Sequence, residues 1–154
     1  MLYFYYVNKE YANFLRQYDE KVPNLNYDSH DKFFCGVVFE INGFKYYAPI
    51  SHETVKQQTS LIIYDKGRAI SSIKFAFMIP VLDEHLTKID FEVIAKDDPK
   101  YADLLRAEYR YCSSIAEKLY DKAKSVYNIG PNKSHRLNFV CCQFKELEKH
   151  VNDY

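Results

Sequence analysis

The dipeptide Asn42-Gly43 constrains the fold more than any other feature of this sequence, because it stands between two runs of β-forming residues. The runs cover residues 33–41 and 44–50. Asn-Gly tolerates the positive φ angles of a two-residue hairpin turn, so the segment predicts an antiparallel hairpin. Proline cannot donate a ladder hydrogen bond, and we expect Pro49 to mark the exit from the second strand.

Two further stretches predict strands. Residues 1–8 are largely apolar and predict a first strand, and they lack the basic leader and small-residue cleavage site of a signal peptide. Residues 60–64 and a long strand from about Ile70 to Val81 predict a second hairpin, which turns at residues 65–68. Apolar residues alternate along the long strand, which predicts one fully apolar face.

Three helices are predicted. Asn8 can cap a helix with an apolar stripe at Tyr11, Phe14, Leu15 and Tyr18. Asp98-Pro99 predicts the start of a helix that runs to about Val126 and ends at Gly130-Pro131, and apolar residues from Leu137 to Val151 predict a final helix. The order predicts an α+β fold in a single domain, residues 1–154: a twisted antiparallel sheet or partial barrel with surrounding helices.

Charge and cysteine usage narrow the class of protein. Twenty-one basic residues balance 21 acidic ones, which excludes a bulk polycation but not a local basic groove. The four cysteines contain no CxxC pair, and Cys141 and Cys142 are adjacent, so we expect reduced, buried thiols and a cytoplasmic protein. The 15 Tyr and 11 Phe suit nucleic-acid stacking, but they suit a packed core better.

Basic residues concentrate toward the C-terminal end. Within residues 118–145, Lys118 and Lys122 share a helix face by their i, i+4 spacing, and Lys133 and Arg136 follow in a polar loop. This layout fits a groove that follows phosphates, although such runs are more often plain solvated surface.

A metal site has one candidate segment. Residues 83–98 hold six Asp or Glu side chains against two lysines, but without a D-x-D or E-x-K pattern. We therefore predict chemistry without a metal or other cofactor.

The end of the second hairpin carries polar side chains that suit metal-free RNA cleavage. That reaction needs a base for the ribose 2′-hydroxyl, a cation for the phosphorane and an acid for the leaving oxygen. Ser51, His52 and Lys56 supply these types, with Tyr27 and Lys32 from the polar loop at residues 20–32. The alternative is an exposed turn in which Ser51 only caps the following backbone.

Three motifs in combination resemble the ToxN/AbiQ family of endoribonuclease toxins from type III toxin–antitoxin systems. They are a D-x-K-V-P-N loop (residues 19–24), a G-h-V-h-E-I-x-G-x-K-Y-h-A-P-h hairpin (residues 36–50, h apolar) and a K-F-x-F-M-I-P strand (residues 74–80). The resemblance implies a Kid/MazF-like core and metal-independent cleavage to a 2′,3′-cyclic phosphate and a 5′-hydroxyl. It also implies a repeat-encoded RNA pseudoknot as antitoxin, which the toxin processes and then holds in a closed toxin–RNA assembly.

The family's site residues carry over unevenly. Its helix aromatic falls on Tyr11, its loop lysine on Lys21, and its loop tyrosine and lysine on Tyr27 and Lys32. The family commonly has Thr-Ser or Ser-Ser after the A-P-h strand end, whereas this chain has Ser51-His52, so the catalytic serine aligns with His52 unless a one-residue shift makes it Ser51.

The resemblance thus predicts a cytoplasmic, metal-independent endoribonuclease toxin. We expect Tyr11, Lys21, His30, Lys56 and the basic run to contact RNA. The alternatives are a non-catalytic RNA-binding module on the same scaffold and a plain protein-interaction domain.

Overall fold

The computed structural model describes residues 2–25 and 30–154, and it has the predicted α+β fold. Within these residues, seven strands form an antiparallel sheet and five helices accompany it. The strands are β1 (Tyr3–Val7), β2 (Phe34–Ile41), β3 (Phe44–Ser51), β4 (Ser60–Asp65), β5 (Arg68–Lys74), β6 (Ile79–Pro80) and β7 (Leu86–Lys88). The helices are α1 (Lys9–Arg16), α2 (Phe91–Asp97), α3 (Pro99–Ser114), α4 (Ala116–Ile129) and α5 (Phe144–Glu148).

The sheet places β3 at its centre. Its strand order is β4-β5-β3-β2-β1-β7, and β6 pairs separately with β3. Strand β3 pairs with β2 on one side and with β6 and then β5 on the other, so its C-terminal end lies inside the sheet. A search of the helices in the described part of the chain finds none that could span a membrane.

Both predicted hairpin turns are confirmed. Asn42 and Gly43 have φ angles of 52° and 84°, and Lys66 and Gly67 have 51° and 78°. Positive φ at both central residues matches the right-handed twist of the flanking strands. Asn42 adopts this region more readily than most residues, and Lys66 is the less usual occupant.

The sequence predicted that Pro49 ends its strand, and this prediction is wrong. Strand β3 continues to Ser51, and the N–H of the next residue, Ile50, donates to the carbonyl of Phe33, just before β2. Alternate residues of a strand point to opposite neighbours, so the missing N–H of Pro49 faces the other side. There, pairing with β6 stops at Tyr47 and pairing with β5 starts at Ile50, so the proline removes no ladder bond.

The predicted long strand from Ile70 to Val81 is also wrong. It breaks after Lys74 into a 3₁₀ turn at Phe75–Phe77, and β6 follows. The backbone of the turn forms hydrogen bonds outside the β-ladder. The N–H of Phe75 donates to the carbonyl of Thr59, and the carbonyl of Ala76 accepts from the N–H of Cys142.

The helix starts are confirmed, but two helix lengths are not. Asn8 Oδ1 accepts from the N–H of Tyr11, and Asp98 Oδ1 accepts from that of Tyr101. The second predicted helix breaks at Ile115, whose ψ of 24° separates α3 from α4. Just before it, the hydroxyl of Ser114 donates to the Tyr111 carbonyl, a side-chain bond that competes with helical pairing.

The predicted final helix is reduced to a 3₁₀ turn at Asn138–Val140 and the short α5. The intervening backbone bonds elsewhere, because Cys142 donates to Ala76 and the N–H of Gln143 donates to the carboxylate of Asp19. Strand β7 and helix α2 lie in the acidic segment, where the sequence predicted neither.

The core is rich in tyrosine, and its polar atoms are largely bonded. Tyr46 and Tyr127 both donate their hydroxyls to the carboxylate of Glu148. All four cysteines are free and buried, as predicted. Most of the aromatic content thus serves packing.

Candidate active site

A cavity of about 840 Å³ opens at the C-terminal end of β3. Its walls come from the segment after α1, the ends of β3 and β5, and the loop after α4. Five cationic side chains and two carboxylates line it: Arg16, Lys21, Lys32, Lys74 and Arg136, with Glu20 and Glu53. In a chain of zero formal net charge, this excess of cations focuses positive potential in one place.

Ser51 lies at the cavity wall as the last residue of β3, half-buried and opposite Ser72 of β5. Its hydroxyl oxygen accepts a hydrogen bond from the N–H of Glu53 at 3.2 Å. The turn that the sequence offered as an alternative is therefore present, and it orients the hydroxyl rather than removing it from the cavity.

Lys74 is a cavity residue that the sequence analysis missed. It is the last residue of β5, and its side chain is only 8% exposed, yet its ammonium donates to Glu53 at 3.1 Å and to Gln57 at 3.2 Å. A buried ammonium is normally paired, and here the partners also line the cavity. The signal in the sequence was that Lys74 is the first residue of the K-F-x-F-M-I-P motif.

The D-x-K-V-P-N motif shapes the cavity wall through its first residue. Asp19 is buried, and its carboxylate accepts from the N–H of Lys21 at 3.0 Å and from that of Gln143 at 2.6 Å. Val22 is buried below this turn, while Lys21, Pro23 and Asn24 line the cavity. The first part of the predicted surface loop is therefore partly buried, and Lys21 and Asn24 line the cavity.

The structure brings four predicted site residues together here: Ser51, Lys21, Lys32 and Arg136. Arg136 also donates to the side chain of Gln58 at 3.2 Å, which joins the loop after α4 to the segment after β3.

Other predicted residues lie elsewhere. His52 and Lys56 are exposed on the segment after β3 and do not line the cavity, and Lys118 and Lys122 project from α4. Lys133 lines a second cavity. Tyr27 lies outside the described residues.

His30 is engaged away from the cavity. Its ring stacks on Tyr101 at 3.7 Å between centroids, and its Nε2 lies 3.1 Å from the Asp98 carboxylate. The pKa of Asp98 is lowered, chiefly by the N–H of Tyr101 and then by His30. His30 is exposed, and its contact with phosphate stays a prediction.

Tyr11 belongs to the core. It has no exposed surface, its hydroxyl donates to the carbonyl of Pro80 at 2.7 Å, and its ring stacks on His85. Burial raises its pKa well above the usual range. The prediction that Tyr11 contacts RNA is wrong for this structure, because the ring is covered on all sides.

In the described part of the chain, no three His, Cys, Asp or Glu side chains cluster as metal ligands would. The acidic segment spreads its carboxylates instead: Asp90 and Asp98 cap helices, and Glu92 pairs with Arg106.

The chain is similar in sequence to one known family and to two named proteins. Residues 3–152 match the family model described as toxin ToxN of type III toxin–antitoxin systems. The chain is 29% identical to endoribonuclease ToxN of Bacillus thuringiensis subsp. kurstaki, over 98% of this chain and 83% of that protein. It is 26% identical to endoribonuclease AbiQ of Lactococcus lactis subsp. lactis, over 99% and 89%.

Solved structures of two proteins superpose closely on this chain. A type III toxin described with selective inhibition by a non-coding RNA pseudoknot superposes with a TM-score of 0.91 and 27% identity, over 99% of this chain and 97% of that one. AbiQ, described as a lactococcal anti-phage endoribonuclease, superposes with a TM-score of 0.85 and 26% identity, over 100% and 98%.

Proposed function

The chain belongs to the ToxN toxin family of type III toxin–antitoxin systems, and on this basis we propose that it is an endoribonuclease toxin held in check by a small structured RNA. The observation that carries the proposal is the cationic cavity around Ser51. Five cations at the end of a rigid sheet are suited to a polyanionic strand and to the extra charge of a cleavage transition state. The cytoplasm is the proposed site of action, which the free thiols support. A Kid/MazF-like core, supported by the antiparallel sheet, also stays a prediction.

The proposed reaction is an in-line attack of a ribose 2′-oxygen on the adjacent phosphorus. The bond from the 2′-oxygen to phosphorus forms while the bond from phosphorus to the 5′-oxygen breaks, which leaves a 2′,3′-cyclic phosphate and a 5′-hydroxyl. One proton leaves the 2′-oxygen and one enters the 5′-oxygen, so no redox or metal step is required.

The cavity residues divide these tasks. Ser51 hydrogen-bonds the reacting ribose or phosphate, since its hydroxyl is already oriented at the wall. The ammonium groups of Lys74 and Lys32, which line the cavity, stabilise the phosphorane, and Lys32 is the proposed donor of a proton to the leaving oxygen. His52 and Glu53 directly follow Ser51 and are the two candidates for accepting the 2′ proton, with Tyr27 kept as a candidate from the sequence.

We expect the purified protein to cleave RNA at an unchanged rate in excess EDTA and to leave 2′,3′-cyclic phosphate ends. The physical reason is that cationic side chains, rather than clustered carboxylates, line the cavity. Mass spectrometry of the product ends measures the outcome, with a magnesium-dependent nuclease as the control that EDTA must silence. Activity lost with EDTA and restored by magnesium would contradict the proposal, and RNA binding without cleavage would favour a non-catalytic RNA-binding module.

The basic face of α4 is the proposed contact for the antitoxin RNA. Lys118 and Lys122 lie one helical turn apart and are exposed and half-exposed. Lys118→Glu with Lys122→Glu should weaken binding of the small structured RNA proposed as the antitoxin. Each lost phosphate contact lowers the slope of log affinity against log salt by about one unit.

The matched control for this pair is Lys96→Glu with Lys100→Glu, which changes the net charge equally on the exposed surface of α2 and α3. If both pairs reduce affinity and slope equally, α4 has no specific role and only overall charge matters.

A further inference from the structure

A second cavity of about 490 Å³ lies beyond Lys21, which lines both cavities. One wall is the loop after α4 with Pro131, Lys133 and Phe139, and the other is the start of α5 with Phe144 and Lys145. Its volume falls in the range of roughly 300–1,000 Å³ that small-molecule pockets occupy, which suits one nucleotide. Lys21 and Lys133 were predicted to contact RNA, but the reaction proposed above uses no residue that lines only this cavity.

Phe139 is the notable residue of this cavity. Its side chain is 69% exposed, the largest exposure among the large apolar residues that the structure describes. It is not on a loose loop: it lies in a 3₁₀ turn, where the side chain of Asn138 donates to the carbonyl of Gly130 and Cys141 donates to the carbonyl of Asn138. The fold therefore presents an aromatic face to solvent at a fixed place.

The charges around Phe139 are complementary to phosphate. Four lysines line the cavity against one carboxylate: Lys21, Lys133, Lys145 and Lys149, with Glu146. Lys149 pairs with Glu146 at 3.1 Å, whereas Lys133 and Lys145 form no ion pair with a described residue. An exposed aromatic ring among lysines is the arrangement by which proteins bind unpaired RNA, with the base on the ring and the phosphate on the cations.

We propose that this cavity is a nucleotide subsite, which binds one unpaired base of the RNA strand whose scissile phosphate occupies the Ser51 cavity. The base stacks on Phe139, Lys133 and Lys145 hold its phosphate, and Lys21 contacts the backbone between the two cavities. The inference rests on the proposed function, and it adds a flanking nucleotide to the substrate. An RNA that reaches only the scissile bond would miss this subsite.

The test compares Phe139→Ala with Phe139→Tyr, and with Val93→Ala, an exposed apolar residue on α2, as the matched control. Binding of a fluorescent single-stranded oligonucleotide is measured by anisotropy across salt concentrations. Loss of one stacked base should weaken binding about 5- to 150-fold. The salt slope should not change, because Phe139 carries no charge, and Phe139→Tyr and Val93→Ala should bind like wild type.

Lys145→Gln is the complementary variant. It should lower the salt slope by about 0.7, the value for one phosphate of a single strand. In cleavage assays, Phe139→Ala should reduce kcat/KM for a long RNA while leaving a dinucleotide substrate unaffected.

Failure of the subsite and failure of the proposed function are distinguishable. A protein that cleaves RNA, but whose Phe139→Ala variant matches wild type in anisotropy and in kcat/KM, overturns the subsite alone. If the protein does not cleave RNA, the proposed function fails, but the anisotropy measurements still test the subsite. Equal losses for Phe139→Ala and Val93→Ala would also overturn it.

Discussion

The Ser51→Ala variant is expected to fold normally and to cleave RNA about 10²–10³-fold more slowly than wild type, the usual cost of losing one positioned hydrogen-bond donor to the transition state. Ser51 ends β3 at the cavity wall, and its hydroxyl is the only part of the side chain that alanine removes. The methyl group keeps the packing against β5, so thermal unfolding should be nearly unchanged. Single-turnover cleavage of a labelled RNA measures the rate.

Variants of the next two residues identify the proton acceptor. His52→Ala should flatten the pH–rate profile if the imidazole accepts the 2′ proton, whereas Glu53→Gln should do so if the carboxylate does. Thr54→Ala is the control, since Thr54 is exposed in the same segment and does not line the cavity. Wild-type cleavage by Ser51→Ala would move the reaction elsewhere in the cavity, with Lys32 and Tyr27 as the next residues to test.

The second large effect concerns Glu108, a carboxyl group on α3 that is only 1% exposed. Its Oε2 accepts from the hydroxyl of Ser71 at 2.6 Å, whereas its Oε1 has no hydrogen-bond partner within the described residues. Burial raises its pKa from the usual 4.5 to about 7, and the Ser71 bond opposes part of that rise. Between these two values, the folded protein holds a proton that the unfolded chain releases.

The free energy of unfolding should therefore fall as the pH rises from about 4.5 to 7. A pKa difference of this size corresponds to a loss on the order of 3 kcal/mol at pH 8. Glu108→Gln removes the titration and keeps an oxygen to accept from Ser71. We expect this variant to be more stable than wild type at pH 8 by a similar amount, and close to wild type at pH 4.5.

Urea unfolding at several pH values between 4.5 and 8 tests this expectation. Glu117→Gln on the exposed surface of α4 is the control for the loss of one carboxylate. Contributions that wild type and variant share cancel in the difference between the two curves. Parallel curves for wild type and Glu108→Gln would show that the buried carboxyl does not titrate in this window.

The parts of the fold that the sequence predicted are those fixed by local chemistry. Asn42-Gly43 turns because both residues accept positive φ, and Asp98 caps α3 because its side chain reaches an N–H three residues later. The failures depend on distant partners. Nothing near Pro49 in the chain indicates that the missing N–H falls between β6 and β5, and nothing near Ala76 indicates that its carbonyl pairs with Cys142.

In the candidate site, too, the sequence predicted some residues and missed others. Ser51 could be predicted because polar residues directly follow a strand, Lys21 because it lies in the D-x-K-V-P-N motif, and Lys32 because of the family resemblance. Lys74 opens the K-F-x-F-M-I-P motif but was missed as a cavity residue, since a lysine that alternates with apolar residues normally faces solvent. Tyr11 was predicted to contact RNA, but it is buried. A match to the family gives the identity of a residue but not whether the fold covers it.

The carboxylate of Asp19, which accepts from the backbone of both Lys21 and Gln143, has a consequence for the order of synthesis. A ribosome adds Lys21 early and Gln143 more than a hundred residues later, after Arg136 and Val140, which complete the cavity wall. A nascent chain therefore lacks the assembled cavity until Gln143 has been added. Any RNA that is to restrain the enzyme has the whole of that interval in which to accumulate beside it.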